Sequence, residues 1–173
     1  MTGSHSGVNI KNQTSSHLRS LIVFVVLCFL TASAGAAFPP GEWYAGLNRP
    51  WYAPPNWLFG PVWTMLYFMI AFSGWLVWKA RNSADSTSQP KINLAMMLYS
   101  AQLVLNSAWT YLFFGLQRPD IALAEILVLW VMIIATIFVF RRHSMPAAVL
   151  LVPYLLWVSF ASVLNYGFWS LNS

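Results

Sequence analysis

The sequence predicts an all-α polytopic membrane protein, a bundle of five transmembrane helices with a structured loop between the first and the second. Two observations favour this class. Of the 173 residues, 58% are hydrophobic and only 8% are charged, whereas soluble domains carry about 25% charged residues to cover a water-facing surface. The apolar residues are also gathered into five runs, each long enough to cross a bilayer.

The five apolar runs cover residues 21–37, 61–78, 94–115, 121–140 and 147–169. A spanning helix needs about 17–25 residues at a rise of about 1.5 Å per residue, and each run has that length. Because hydrocarbon contains no water, every backbone N–H and C=O must be bonded within its own segment, which a helix achieves. The alternating strands of about ten residues that form a membrane β-barrel do not occur in the sequence.

The first run allows two interpretations. LIVFVVLCFL followed by TASAGAA resembles a signal-peptide core with a small-residue cleavage site. Against cleavage, the preceding polar region is long and the apolar character continues to Phe38. Residues 1–20 contain no acid and are rich in Ser and Thr. We expect them to form a flexible polar tail before a membrane domain of residues 21–173.

The basic residues predict how the chain is oriented. All but Arg49 and Arg118 of the nine lysines and arginines lie in the tail, in the segment 79–93 or in the segment 141–146. Positively charged segments stay on the inner side of a membrane. We therefore place the loop 41–60 and the C-terminus outside, and we interpret the net charge of +5 as topology information. The expected partner is the lipid bilayer and not nucleic acid.

The connection between the first two runs, WYAGLNRPWYAPPNWLFGPVW, holds four tryptophans and four prolines in 21 residues. A disordered linker is polar and poor in aromatics, and a helix or strand does not tolerate this much proline. Proline restricts an irregular chain without adding an N–H that needs a partner, while Trp and Tyr suit a surface that is half wet and half apolar. We predict an ordered loop at the membrane surface.

Two predicted helices carry a face that combines polar and aromatic residues at helical spacing. These residues are Gln102, Asn106 and Trp109 in the third run and Tyr154, Trp157, Ala161 and Leu164 in the fifth. Such faces are either contacts between helices or the walls of a pocket that binds a flat apolar ligand by stacking and dispersion.

Three further intramembrane positions have both a structural and a functional interpretation. Trp130 and Trp157 lie too deep for the interfacial aromatic belt, so each is either a packing residue or a ligand contact. Glu125 lies about one and a half turns into the fourth run. From there its carboxylate either reaches the outer interface or marks a functional site.

The residue clusters of common enzymes are missing from the sequence. Its three histidines lie in the tail or at position 143 in an inner segment, far from Asp120 and Glu125, so they form neither a metal cluster nor a nucleophile–base pair. No glycine-rich phosphate loop occurs. We therefore expect no protein-bound metal, no required cofactor and no conventional catalytic residue.

Four ordered motifs resemble the TspO/MBR family of tryptophan-rich sensory proteins, which includes the translocator protein, also called the peripheral benzodiazepine receptor. The motifs are WYAGLNRPWYAPPNWLFGPVWTMLY, LYSAQLVLNSAWTYLFF, LAEILVLWVMIIATI and LLVPYLLWVSFASVLN. The resemblance covers residues 38–172 and implies five transmembrane helices, a retained first helix and a homodimer. It also implies a bacterial cell membrane, with the mitochondrial outer membrane or another organelle membrane as the alternative.

The resemblance further implies that the loop 41–60 closes a pocket for porphyrins such as protoporphyrin IX or haem, with sterols and hydrophobic drug-like ligands as further candidates. The ligand-binding residues carried over by motif are Tyr44, Pro54, Trp63, Asn106, Trp157 and Ala161. The implied role is tetrapyrrole homeostasis, stress response or sensing. The alternatives are light-dependent oxidative degradation of bound porphyrin, with Trp63 and Trp157 as reactive partners, and transport of porphyrin or lipid.

Two positions depart from the family pattern. The sterol motif of animal members ends on a basic residue where this chain has Ser170, so sterol recognition does not follow from the resemblance. Arg49 precedes Pro50 where many relatives have lysine.

Overall fold

A computed structural model describes residues 5–81 and 89–173. Within these ranges the regular structure is helical, and the prediction of an all-α polytopic bundle is confirmed. A 3-10 turn at Asn56–Leu58 leads into α3, and a π-helical turn at Tyr111–Gly115 extends α4. The α-helices are α1 (His5–Ala37), α2 (Glu42–Ala45), α3 (Phe59–Arg81), α4 (Gln89–Thr110), α5 (Pro119–Phe140), α6 (Met145–Leu150) and α7 (Val152–Asn172).

Three helical stretches of the described ranges are long and apolar enough to cross a membrane, namely Asn56–Ala80, Pro119–Phe140 and Met145–Asn172. The stretch His17–Ser33 within α1 is a shorter apolar helix. The 22 residues of α4 carry the buried polar side chains of Gln102 and Asn106 into the bundle. The chain is an integral, multi-pass membrane protein.

The first helix extends beyond the boundary that we predicted at residue 21. Its backbone is helical from His5, and residues 5–20 contain no proline that would interrupt the hydrogen-bond ladder. The helix continues through the first apolar run and packs against α3 and α4. The flexibility of residues 1–20 stays a prediction, and residues 1–4 lie outside the described part of the chain.

The fifth apolar run forms two helices instead of one. α6 ends at Leu150 and α7 begins at Val152. Pro153 explains the break, because proline has no N–H to offer the preceding turn and its ring crowds the carbonyl four residues earlier. α3 packs extensively on α6 but touches α7 only slightly. The outer halves of α3 and α7 therefore leave room for a cavity between them.

The remaining helices close the bundle around that space. α1 packs on α3 and α4, α4 packs on α5, and α5 packs on α7. Gly74 lets the aromatic side chains of neighbouring helices approach α3 closely, since an added Cβ there would lie 2.7 Å from the ring of Tyr99 and 2.8 Å from that of Phe24. This close packing fixes the relative positions of α1, α3 and α4, which all contribute to the walls of the cavity.

The loop 41–60 is ordered by contacts with the C-terminal half of α7. The Tyr52 hydroxyl donates to the Val163 carbonyl at 3.2 Å, and Pro50 is buried. At Gly167 an added Cβ would overlap the Tyr52 hydroxyl and lie 2.7 Å from Cγ of Pro50. The predicted ordered loop thus lies at the same end of the bundle as the C-terminus.

Candidate functional site

A partly enclosed pocket of about 450 Å³ lies beneath the loop 41–60, between α1, α3, α4 and α7. Its size falls within the range of about 300–1,000 Å³ that is typical of small-molecule sites. Five of the six predicted ligand-binding residues line it, namely Tyr44, Trp63, Asn106, Trp157 and Ala161. Motifs that are more than 100 residues apart in sequence therefore meet at one cavity.

Pro54, the sixth predicted residue, is not among the residues that line the pocket. Its carbonyl accepts a hydrogen bond of 2.9 Å from Nη2 of Arg49, and it precedes the 3-10 turn at Asn56–Leu58. The structure gives Pro54 a role in the loop, because the fixed φ of proline stiffens the chain entering α3, and its contact with a ligand stays a prediction.

The wall opposite α4 is built from aromatic rings of α3 and α7. The rings of Trp63 and Tyr67 lie 5.4 Å apart at 31°, and Trp63 meets Tyr154 edge-on at 6.2 Å. Trp157 packs edge-on against Phe59 at 5.8 Å. Each ring is held by another ring, so the wall presents flat apolar surfaces in fixed positions.

The polar centre of the pocket is Asn106, which joins three helices. Its Oδ1 accepts from the Tyr67 hydroxyl at 2.7 Å, and its Nδ2 donates to the Tyr154 hydroxyl at 3.2 Å. This confirms the interpretation of Asn106 as a contact between helices, and the same residue also faces the pocket. Both ends of its amide are engaged, so a ligand meets a pre-organised group.

A second polar link closes the outer part of the pocket. Nε1 of Trp109 donates to Oδ1 of Asn165 at 3.0 Å, and Nδ2 of Asn165 donates to the Pro119 carbonyl at 2.7 Å. The link connects α4, α7 and the start of α5. Trp109 also stacks on Phe113 at 5.3 Å and 28°, which keeps both rings in the pocket wall.

The two mid-depth tryptophans have different roles. Nε1 of Trp157 is buried without a hydrogen-bond partner among the described residues, although Trp157 lines the pocket. This nitrogen is enclosed within the wall, so a ligand atom would reach it only after the indole turned toward the cavity. Trp130 instead donates to Oγ of Ser159 at 2.8 Å and does not line the pocket. Trp130 is therefore a packing residue.

Glu125 and Gln102 do not line the pocket either. Both carboxylate oxygens of Glu125 and both polar atoms of the Gln102 amide are buried without a partner in the described ranges. The Glu125 carboxyl is therefore enclosed by the protein. Its position gives it no contact with a ligand in this cavity.

Tyr44 connects the loop to the bundle. It is only 5% exposed, and its ring lies 5.4 Å from Phe114 and 5.3 Å from Phe168. Burial raises the pKa of the Tyr44 phenol, and the nearby Arg49 guanidinium partly opposes that shift. At neutral pH the phenol is uncharged, as an apolar pocket requires.

Sequence reasoning missed two groups of pocket residues. α1 and the residues after it contribute Phe29, Ala32, Gly35, Phe38 and Pro40, which look like ordinary lipid-facing positions in the sequence. The π-helical turn contributes Phe113 and Phe114. The run YLFFG, which is rich in aromatic residues and follows Trp109, was the sequence signal for these pocket residues. Single π-helical turns often mark functional sites.

A second, larger depression of about 900 Å³ runs along the outside of α3. It is open, it is lined almost entirely by apolar side chains such as Met65 and Phe72, and it contains none of the predicted site residues. Such a surface is expected where a helix faces lipid. We assign the functional site to the partly enclosed cavity.

Comparison with known proteins agrees with this arrangement. The profile of the TspO/MBR family matches residues 22–170. The chain is 38% identical to the tryptophan-rich protein TspO of Chlorobaculum tepidum, covering 91% of this chain and 99% of the relative. It is also 38% identical to the tryptophan-rich sensory protein of Cereibacter sphaeroides (87% and 90% covered) and to the translocator protein of Homo sapiens (84% and 83% covered). The chain belongs to the TspO/MBR family.

Proposed function

We propose that this membrane protein binds porphyrins in the pocket beneath the loop 41–60 and acts in tetrapyrrole homeostasis, stress response or sensing. The observation that carries the proposal is the pocket itself. It is partly enclosed, has a volume of about 450 Å³ and is walled by aromatic rings. Flat, largely apolar macrocycles bind to such walls through dispersion and offset stacking.

The polar groups of the pocket support a macrocyclic ligand with hydrogen-bond acceptors. Asn106 is engaged with Tyr67 and Tyr154, whereas the buried N–H of Trp157 has no partner among the described residues. Ring nitrogens of a porphyrin can accept from this donor once the indole turns toward the cavity. The aromatic walls supply most of the binding energy.

A second candidate function is light-dependent oxidative degradation of the bound porphyrin. The observation that favours it is the presence of three tryptophans, Trp63, Trp109 and Trp157, in the pocket wall. Indole rings in contact with a photoexcited macrocycle are oxidisable groups, and molecular oxygen would be the co-substrate. A homodimer, implied by the resemblance, stays a further proposal for this chain.

The test is a titration of the purified protein with protoporphyrin IX, followed by absorbance over time in light and in darkness. Binding predicts a saturable spectral shift in both conditions, and degradation adds loss of the porphyrin bands in light only. Trp63→Ala and Trp157→Ala should each weaken binding by about 1–3 kcal/mol, because each removes a buried aromatic contact.

Trp78→Ala is the matched control, since Trp78 lies on α3 but outside the pocket. It should leave porphyrin binding nearly unchanged. Equal losses in all three variants would mean that general destabilisation, and not ligand contact, explains the effect. No saturable binding to the wild-type protein would refute the proposed function.

A further inference from the structure

We infer that Arg49 forms an anion subsite at the rim of the pocket and receives a carboxylate of the bound ligand. The inference rests on the proposed function and narrows its ligand class to amphipathic macrocycles that carry acidic side chains. It concerns a residue of the loop 41–60 and not the aromatic walls, so this inference and the proposed function can be tested separately.

The guanidinium of Arg49 is held in place beside the pocket. Its Nη1 donates to Oδ1 of Asn56 at 2.8 Å, and its Nη2 donates to the Pro54 carbonyl at 2.9 Å. Its Cζ lies 5.7 Å from the centre of the Tyr44 ring. Tyr44 and Asn56 both line the pocket, whereas Arg49 itself is not among the lining residues. The cation therefore adjoins the cavity through two residues of its wall.

Both hydrogen-bond acceptors of Arg49 are neutral, and its charge is not compensated. Within residues 5–81 and 89–173, the structure pairs an arginine with a carboxylate at Arg118 and Asp120, 2.6 Å apart, and Arg49 has no acidic partner there. A guanidinium has five N–H donors in a planar fork. Two are directed into the loop, which leaves the others for an incoming acceptor.

Arginine recognises a carboxylate more specifically than lysine does. Its planar fork matches the two carboxylate oxygens and forms charge-assisted hydrogen bonds, whereas lysine acts as a point charge without this geometry. Arg49 is also exposed to solvent at the loop. A ligand whose rings lie between the aromatic walls can therefore keep its carboxylates at the wet rim, where the cost of burying a charge is avoided.

The experiment compares protoporphyrin IX, a dicarboxylic acid, with its dimethyl ester, which has the same macrocycle without the charges. Affinities are measured for wild type, Arg49→Gln and Arg49→Lys at low and high salt. Arg49→Gln should weaken binding of the acid about two- to fivefold at low salt, as expected for a partly exposed ion pair. It should leave the affinity for the ester unchanged, and Arg49→Lys should give an intermediate loss.

Arg118→Gln is the matched control, because the Arg118 guanidinium already pairs with the Asp120 carboxylate. It should leave the affinity for both ligands as in wild type. The thermal midpoint of each apo protein shows whether the loop substitution has perturbed the fold.

Two results would overturn the inference while leaving the proposed function intact. The first is an equal loss of affinity for acid and ester in Arg49→Gln, which would mean that Arg49 only orders the loop. The second is an unchanged affinity of Arg49→Gln for the acid. If wild type bound neither porphyrin, the proposed function itself would fail, and the inference with it.

Discussion

The side-chain amide of Asn172, in the last turn of α7, pairs with the backbone of Asn48 in the loop 41–60. Its Oδ1 accepts from the Asn48 N–H at 2.8 Å, and its Nδ2 donates to the Asn48 carbonyl at 3.1 Å. The backbone N–H and C=O of Asn48 are thus both satisfied by the side chain of a residue 124 positions away. The pair fastens the loop over the pocket.

The first prediction follows from this pair. Asn172→Ala removes both hydrogen bonds to the loop, each worth about 1 kcal/mol at most at an exposed site, and one bond to the Phe168 carbonyl within α7. Porphyrin dissociation should then accelerate about five- to tenfold, while the aromatic walls stay intact. Stopped-flow exchange of bound porphyrin measures the rate. Ser170→Ala is the control, since Ser170 bonds only within its own helix, and an equal acceleration there would contradict the role of the pair.

A second prediction concerns the close approach of the loop to α7. An added Cβ at Gly167 would overlap the Tyr52 hydroxyl and crowd Pro50. Gly167→Ala should displace the loop, at a cost of about 1–3 kcal/mol in the closed conformation. Hydrogen exchange of residues 41–60 should rise. Gly41→Ala, where nothing lies within 4 Å of the added atom, should leave the exchange unchanged, and a rise of equal size in both would refute the steric explanation.

The third prediction separates two buried amides on one face of α4. Asn106→Leu leaves the hydroxyls of Tyr67 and Tyr154 without their partner, so the free energy of unfolding should fall by about 2–4 kcal/mol. Gln102 is 1% exposed and has no partner in the described ranges. Gln102→Leu should therefore change stability by less than about 1 kcal/mol or increase it. Denaturant unfolding in detergent measures both, and a larger loss for Gln102→Leu would reveal an unseen partner.

Much of the architecture follows from local patterns in the sequence. The apolar runs predict the long helices because backbone groups in lipid have no alternative partner. The spacing of Trp157, Ala161 and Leu164 correctly predicts one face of α7, and all three line the pocket. The ligand-binding roles of Tyr44 and Trp63 were inferred from the family motifs and not from helical spacing, since the local sequence does not show how the loop folds over the cavity.

The features that were missed depend on tertiary contacts. The π-helical turn at Tyr111–Gly115 changes which side chains face the cavity, and the period of the apolar residues does not reveal it. Pro153 was visible in the sequence, but the sequence does not show that α6 packs mainly on α3 while α7 packs mainly on α5. The ligand contact predicted for Pro54 stays untested, because a motif position does not show whether a residue faces the ligand or supports the loop.

The central claim is that porphyrin occupies the cavity beneath the loop 41–60. Two positions on α7 test it most directly, because Ala161 lines the cavity at 7% exposure while the side chain of Val163 is 56% exposed on the outside of the helix. The measurement is the dissociation constant for protoporphyrin IX in Ala161→Phe and Val163→Phe, with the thermal midpoint of each apo protein as the check on folding. We expect Ala161→Phe to fill the cavity and weaken binding about tenfold or more, and Val163→Phe to bind as wild type does. Wild-type affinity in a folded Ala161→Phe protein would contradict the claim and place the porphyrin elsewhere on the protein.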